Sequence, residues 1–262
     1  MTIDPRKPSA SGPRPSLPVE EGGANLTIRA AAVTAGVALL LMSVLAGFAK
    51  FVAVDGAVTP GDAERTAADI AASEGLFRFG ILCLFLVIVL DVVVAWGLYR
   101  VFRPVSESLS LLAAAFRLVY AGVFMVAIAR LLDVLRLLGD GDHVPVSGAD
   151  QAHAQVLLGI TAFDDLWNVA LILFAAHLFA LGYLSYRSGY VPRFLGVLLA
   201  IAGAGYLIDS VGVVLSPGAW PSIGSYTFIG EFLLALWLVI RGPRLTPRRP
   251  APQPDPIPST RG

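Results

Sequence analysis

Four ionisable side chains lie inside apolar stretches long enough to cross a lipid bilayer: Asp91, Arg117, His177 and Glu231. Each lies about eight to ten residues from a charged turn, which is roughly 12–15 Å at a rise of 1.5 Å per residue. Four groups on four segments therefore share one predicted layer. Because a charge at that depth is costly unless it is paired, this layer is a candidate polar site or proton relay. The alternative is a buried charge network that fixes helix packing and performs no chemistry.

Two members of the layer carry opposite charges and lie on consecutive segments. Asp91 and Arg117 are separated by a short basic turn that contains Pro104, which prevents one helix from continuing through it. Counting outward from this turn gives the two residues nearly equal heights on antiparallel helices. Since an unpaired charge inside the membrane would cost several kcal/mol, we predict an ion pair between them.

A second group of acids is predicted near the outer face of the membrane and consists of Asp164, Asp165 and Asp209. Carboxylates gathered there could form a mouth that attracts cations. They could equally be interfacial acids that pair with Arg130 or Arg136. The sequence leaves both interpretations open.

The sequence contains no recognisable template for metal, cofactor or nucleophilic chemistry. Five possible metal ligands surround the third loop, but their spacing matches no known metal motif. They are Asp140, Asp142, His143, Asp150 and His153. The chain has one cysteine and contains neither a Gly-x-Ser-x-Gly elbow nor a phosphate-binding glycine loop. We therefore predict no metal and no cofactor, and we consider an enzyme less well supported than a non-enzyme.

Composition places the chain among integral membrane proteins. Of its 262 residues, 56% are hydrophobic and 15% are charged, the mean hydropathy is +0.74 and the net charge is zero. A soluble domain usually has about 25% charged residues. Neutrality gives no reason to expect a nucleic-acid partner, so the predicted partners are the lipid bilayer and a small molecule or proton. The oligomeric state is left open.

Hydrophobic runs predict an all-α, polytopic membrane bundle of six transmembrane helices. The predicted spans are 28–54, 76–99, 107–132, 152–186, 193–214 and 222–241. Residues 1–27 and 243–262 are rich in proline and charge and are predicted to be disordered tails around a transmembrane domain at 28–242. Residues 66–73 are predicted to form a short helix at the membrane surface or a solvated acidic loop. Trp167 and Trp237 are expected in the interfacial aromatic belts, and small residues in the fifth span are expected to allow close helix packing.

The distribution of basic residues predicts the orientation. The two tails, the turns at 100–103 and 187–193, and Arg29 and Arg241 at the adjoining span ends carry thirteen lysines and arginines in all, whereas the opposite side carries five. Because basic loops stay in the cytoplasm, both termini are predicted to be cytoplasmic in a multi-pass protein of the cell membrane.

Seven short patches follow one another along the chain: AASEGLFRFG (71–80), Asp91, YRVFRPVS (99–106), LLAAAFRLV (111–119), HLFALGYLSYRSGY (177–190), LIDS (207–210) and GEF (230–232). This ordered set resembles a known bacterial family of integral membrane proteins, the domain of unknown function 4386. The resemblance covers about residues 28–242. It implies a multi-spanning membrane protein and supplies no activity, substrate or catalytic residue.

Three functions remain compatible with the sequence. The buried layer suggests a small transporter or proton-coupled carrier, and a water-filled cavity reaching Asp91 and Glu231 would favour it. The absence of a catalytic template suggests a membrane-embedded structural, sensory or partner-binding protein, and a dry, fully paired layer would favour that. The acidic layers alone suggest an intramembrane lipid enzyme, which would need a pocket opening to lipid beside His177.

Overall fold

The computed structural model describes residues 19–139, 148–216 and 228–245, and within these ranges all the regular structure is helical. The α-helices are α1 (Val19–Gly47), α2 (Ala63–Ala72), α3 (Glu74–Phe102), α4 (Glu107–Leu138), α5 (Ala149–Ser188), α6 (Arg193–Leu215) and α7 (Ile229–Arg241). A π-helical segment (Phe48–Val54) and a 3-10 turn (Asp55–Ala57) extend α1, and a second 3-10 turn (Gly242–Arg244) follows α7.

Five helical segments of the described chain are long and apolar enough to cross a membrane. They are Ile28–Ala57, Glu74–Phe102, Glu107–Leu138, Asp150–Ser188 and Arg193–Leu215. They correspond to the first five predicted spans.

The sixth predicted span, 222–241, is described only in its second half. That half is α7, which has 13 residues and is therefore about 20 Å long. The hydrocarbon core of a bilayer is about 30 Å thick. The described residues therefore support five candidate spans, and the sixth stays a prediction.

Six helices pack in a closed ring in which each contacts its neighbours: α1, α3, α4, α5, α6 and α7, with α7 returning to α1. Side chains such as Leu84 and Leu178 fill the interior, where they are fully buried. The outer surface is also apolar, with Leu82 and Leu158 each more than 60% exposed. A ring with apolar residues on both faces suits a hydrocarbon environment, where the interior needs no greater hydrophobicity than the exterior.

Glycines allow the closest helix contacts in the ring. A Cβ atom built on Gly182 of α5 would lie 2.7 Å from the carbonyl oxygen of Gly196 in α6, and the reverse contact would be 2.6 Å. Gly203 likewise faces the backbone of α5. The small-residue face predicted for the fifth span is confirmed at these positions, because only residues without a side chain permit this approach.

Local sequence signals explain where helices begin and turn. The side chain of Asp62 accepts a hydrogen bond from the backbone amide of Arg65 (2.9 Å) and caps α2. The stretch expected to be either a surface helix or an acidic loop is therefore a helix, and it packs on α5. At the end of α5, Gly189 adopts φ +71°, the left-handed conformation that glycine tolerates best.

Helical structure reaches beyond residues 28–242 at both ends. Helix α1 begins at Val19, so residues 19–27 continue the helix instead of belonging to a disordered tail. At the other end, Leu245 is buried and its carbonyl oxygen accepts a hydrogen bond from Nε of Arg29 (3.1 Å). The bundle therefore extends three residues beyond 242. Residues 1–18 and 246–262 lie outside the described ranges.

Candidate functional site

Three of the four predicted layer residues meet in the centre of the ring. Nη2 of Arg117 lies 2.7 Å from Oδ1 of Asp91, an ion pair whose side chains are 2% and 0% exposed. Nη1 of Arg117 lies 3.3 Å from Nε2 of His177. The ion pair predicted from the sequence is therefore present, and α5 contributes a neutral partner to it. Measured from the observed helix ends, the three residues lie roughly 15–17 Å deep, near the middle of a bilayer.

The contacts of His177 fix its protonation and tautomer. Its Nδ1 lies 2.8 Å from the carbonyl oxygen of Ala113, and because a carbonyl can only accept, Nδ1 must carry the hydrogen. Its Nε2 faces a guanidinium group, which can only donate, so Nε2 must be an unprotonated acceptor. In this arrangement His177 is the neutral Nδ1–H tautomer and has no free position for a second proton.

Arg117 is enclosed by apolar and polarizable groups as well as by its two polar partners. Its guanidinium carbon lies 5.2 Å from the ring centroid of Phe174, and Nη2 lies 3.9 Å from the sulfur of Met42. Phe174 also stacks on His177, with ring centroids 5.6 Å apart. A desolvated cation over an aromatic ring is stabilised by about 2 kcal/mol. Helices α1, α3, α4 and α5 thus all contribute to holding one charge.

Glu231, the fourth predicted residue, lies beside this group in the first turn of α7. Its carboxylate is hydrogen-bonded to Tyr206 of α6 and interacts electrostatically with both Arg117 and Asp91. Tyr120 also lies within electrostatic reach of Asp91, Arg117 and Glu231, and its hydroxyl accepts a hydrogen bond from Nε1 of Trp167 (3.2 Å). The layer therefore draws on all six helices of the ring.

Several buried polar atoms of the layer have no hydrogen-bond partner among the described residues. They are both carboxylate oxygens of Asp91, Nε of Arg117 and Oε1 of Glu231. Oδ1 of Asp91 is nonetheless held by the ion pair, 2.7 Å from Nη2 of Arg117. Buried polar atoms without partners are uncommon and costly, and they often mark positions where a proton, water or ligand binds.

Asp91, Arg117 and His177 are almost fully buried. A small void lies between them and the 100–103 turn, lined by His177, Tyr99, Phe102 and Ser110 among others, and it has no room for a water molecule. Neither a solute nor a lipid chain could occupy that void without a rearrangement of α3, α4 or α5.

The three acids of the predicted outer layer lie in different surroundings. Asp164 is bonded to Nζ of Lys50 at 2.7 Å, and Lys50 also contacts Asp55 at 2.6 Å. Asp165 is exposed, whereas Asp209 is buried and lies within electrostatic range of Tyr206. The outer layer is therefore not a single cluster.

The two arginines suggested as partners for these acids contact an acid of their own helix. Arg130 and Arg136 both pair with Asp133 of their own helix, at 3.2 and 2.9 Å. The cation that holds Asp164 is Lys50, which lies in the π-helical segment after α1. The side chain of Lys50 reaches from that segment to Asp164 of α5.

Within the described ranges, no three histidine, cysteine or acidic side chains converge on a common point. Of the possible loop ligands, Asp150 and His153 lie in the first turns of α5, whereas Asp140, Asp142 and His143 fall outside the described residues.

Several residues that lie in or beside the buried layer were not predicted from the sequence. Tyr120 and Tyr206 lie in the middle of apolar spans, and a polar aromatic at that depth is a usable signal because its hydroxyl needs a partner. Trp167 was expected in the interfacial belt, but it packs between Phe124 and Phe163 inside the ring. Met42 gave no signal, since an apolar residue in a span is ordinary.

The chain matches the family model described as a domain of unknown function (DUF4386) over residues 34–242. It is 39% identical over 168 residues to an uncharacterized protein of Archaeoglobus fulgidus, a match that covers 64% of this chain and 86% of the relative. No solved structure matches. On the extent of the family match, the chain belongs to the DUF4386 family, as the ordered patches indicated.

Proposed function

We propose that this chain is a six-span protein of the cell membrane, with both termini in the cytoplasm, and that its buried layer is the proton-binding site of a small proton-coupled carrier. The observation that carries the proposal is the charge count of the layer. Two carboxyl groups, Asp91 and Glu231, face one guanidinium, Arg117, and a histidine that its contacts hold neutral.

The membrane assignment is supported by the five long apolar segments and their exposed apolar outer surface. The sixth span would consist of α7 together with residues that precede it, since α7 alone is too short to cross. The excess of basic residues at one end of the ring supports cytoplasmic termini.

The charge count requires a proton or another cation at the layer. With both carboxyl groups ionised, the layer would hold one uncompensated negative charge among side chains that are largely buried. Such a charge costs several kcal/mol, far more than the helix N-terminus near Glu231 could return. Asp91 is paired with Arg117 at 2.7 Å, so the proton belongs on Glu231, whose Oε1 has no other described partner.

A carrier role follows from the position of this proton. Glu231 competes with Asp91 for the same guanidinium, so loss of its proton would draw Arg117 toward α7 and weaken the contact between α3 and α4. A positively charged or polar solute that replaced the proton could also satisfy the atoms that now have no partner. Exchange of proton for solute at one carboxylate is the usual basis of coupled transport.

The decisive experiment compares the purified protein with Glu231→Gln by infrared spectroscopy of the carboxylic acid C=O stretch at neutral pH. The parent should show a band from a protonated buried carboxyl, and Glu231→Gln should lack it. Glu107→Gln is the matched control, because Glu107 is exposed and paired with Arg103; this variant should keep the band. A parent without the band, or a band retained in Glu231→Gln, would contradict the proposal.

The same variants test transport in proteoliposomes that contain a pH-sensitive dye. With a panel of small polar solutes outside, at least one solute should drive proton movement in the parent and in Glu107→Gln. The flux should be lost in Glu231→Gln. Proton movement that persists in Glu231→Gln would exclude this residue as the coupling site.

A membrane-embedded structural, sensory or partner-binding protein is the second candidate. The closed packing around His177 favours it, because an interlocked and dry layer can fix helix positions without moving. In that case Glu231→Gln would leave every assayed flux unchanged while the fold stayed intact. The void beside His177, too small for water, gives no support to a lipid-modifying enzyme.

A further inference from the structure

A second polar feature lies at the other end of the ring from Lys50, where α5 and α7 end. It is a surface cavity of about 400 Å³. Its lining consists of Ser188, Gly189, Tyr190, Trp237, Arg241, Arg244 and Leu245. None of these residues belongs to the buried layer.

The walls of this cavity are held in place by contacts from distant parts of the chain. The hydroxyl of Tyr190 donates a hydrogen bond to the carbonyl oxygen of Val101 (2.6 Å), and its ring stacks on Phe102. On the opposite wall, Arg29 bonds the carbonyl of Leu245 and so fixes the turn that carries Arg244. The cavity is therefore a built feature with two anchored sides.

The charge inside the cavity is positive. Arg241 and Arg244 are exposed and form no ion pair with any described residue, and no acidic side chain lines the cavity. Burial raises the pKa of the Tyr190 hydroxyl, so this group stays neutral and adds no negative charge. Two guanidinium groups that line one cavity favour a group with bidentate acceptor oxygens, and a phosphate provides them.

The position of the cavity favours a lipid as the source of that phosphate. Arg241 directly follows the apolar residues of α7, so its guanidinium lies at the level of the headgroups when α7 is in the membrane. The half-buried indole of Trp237 supplies an apolar wall, and tryptophan at this level contacts the glycerol region of lipids. Basic pockets between helices on the cytoplasmic side bind anionic headgroups.

We propose that Arg241 and Arg244, together with Trp237, bind the phosphodiester headgroup of an anionic phospholipid from the cytoplasmic leaflet. The inference rests on the orientation given under the proposed function but is independent of the role of Glu231. A zwitterionic headgroup fits less well, because its own positive group would be repelled by the guanidinium groups of Arg241 and Arg244.

The test is native mass spectrometry of the full chain in detergent, titrated with phosphatidylglycerol or with phosphatidylcholine. The parent should retain phosphatidylglycerol preferentially. Arg241→Gln/Arg244→Gln should bind it about thirtyfold more weakly, at the usual contribution of a basic residue near an anionic surface. The matched control is Arg100→Gln/Arg187→Gln, which removes two charges from the same end of the ring outside the cavity and should bind as the parent does.

Three outcomes would overturn the proposal. Equal weakening in the control would show that the lipid is held by general surface charge, and equal retention of both lipids would remove the preference for an anionic headgroup. Inorganic phosphate or glycerol phosphate that displaces the lipid at equal concentration would make a soluble phosphate the ligand. If the glutamine variant does not fold, Arg241→Lys/Arg244→Lys keeps both charges and should lose only part of the affinity. Glu231→Gln should bind the lipid normally, which separates this inference from the proposed function.

Discussion

The ion pair between Asp91 and Arg117 should be damaged more by removing one partner than by replacing both, and the two single variants should differ in stability. Removing one partner of a buried pair usually costs about 3–5 kcal/mol, because the other charge is left without compensation. Asp91→Asn leaves Arg117 with Glu231 close by, and a deprotonated Glu231 can replace the lost carboxylate. We therefore expect Asp91→Asn to lower the free energy of unfolding by about 3 kcal/mol or less, at or below the bottom of that range.

Arg117→Leu should be the more damaging single change. It leaves two carboxyl groups without a cation, and it removes the contacts with Phe174 and His177 as well. We expect Arg117→Leu to lower the free energy of unfolding by about 4–5 kcal/mol, or the variant protein to fail to accumulate in the membrane. The double variant Asp91→Asn/Arg117→Leu has no stranded charge at these positions and should recover much of the loss.

The assay is equilibrium unfolding in mixed detergent micelles, which gives the free energy of unfolding for the parent, both single variants and the double variant. The control is Arg130→Gln, which breaks an ion pair whose side chains are 46% and 42% exposed. An exposed pair contributes only about 0–1 kcal/mol, so this variant should be close to the parent. The reasoning is refuted if the two single variants are as stable as the parent, or if their losses simply add in the double variant.

Three further predictions concern topology, packing and the chain end. Reporters fused after Gly141 and after Pro217 should both read as external, and a cytoplasmic signal at either position would disprove the six-span orientation. Gly196→Ala should lower the free energy of unfolding by about 1–3 kcal/mol, because its Cβ would meet the backbone of α5. Gly122→Ala, whose Cβ meets nothing within 4 Å, should be neutral or stabilising by up to about 1 kcal/mol. Truncation directly after Leu245 should leave the melting temperature unchanged, whereas truncation that also removes Leu245 should lower it; equal melting temperatures would show that its burial contributes nothing.

The height of each charged group along its helix could be predicted from the sequence, because it depends only on the number of residues counted along the helix axis. A helix rises by 1.5 Å per residue, so counting from the charged turns placed Asp91, Arg117 and His177 at one height before any packing was known. The pairing of Asp91 with Arg117 followed as well, since consecutive antiparallel helices are neighbours and the charges are opposite. Glu231 was placed in the same layer by the same count.

Which side of each helix faces which neighbour was decided only by the tertiary structure. A span that is apolar all round gives no periodic signal for its inward face, so the places of Tyr206 and Met42 beside the layer could not be read from spacing. The partner of Asp164 is Lys50, which lies in the π-helical segment after α1, and the hydrophobic pattern of the first span did not predict that pairing. The contact of α7 with α1 joins the two ends of the domain, and it is this contact that closes the ring and holds Leu245 against Arg29. The sequence by itself determines the heights of the charged groups, because rise per residue is a local property. The tertiary structure decides their neighbours, because rotation about a helix axis is fixed only by what packs against it.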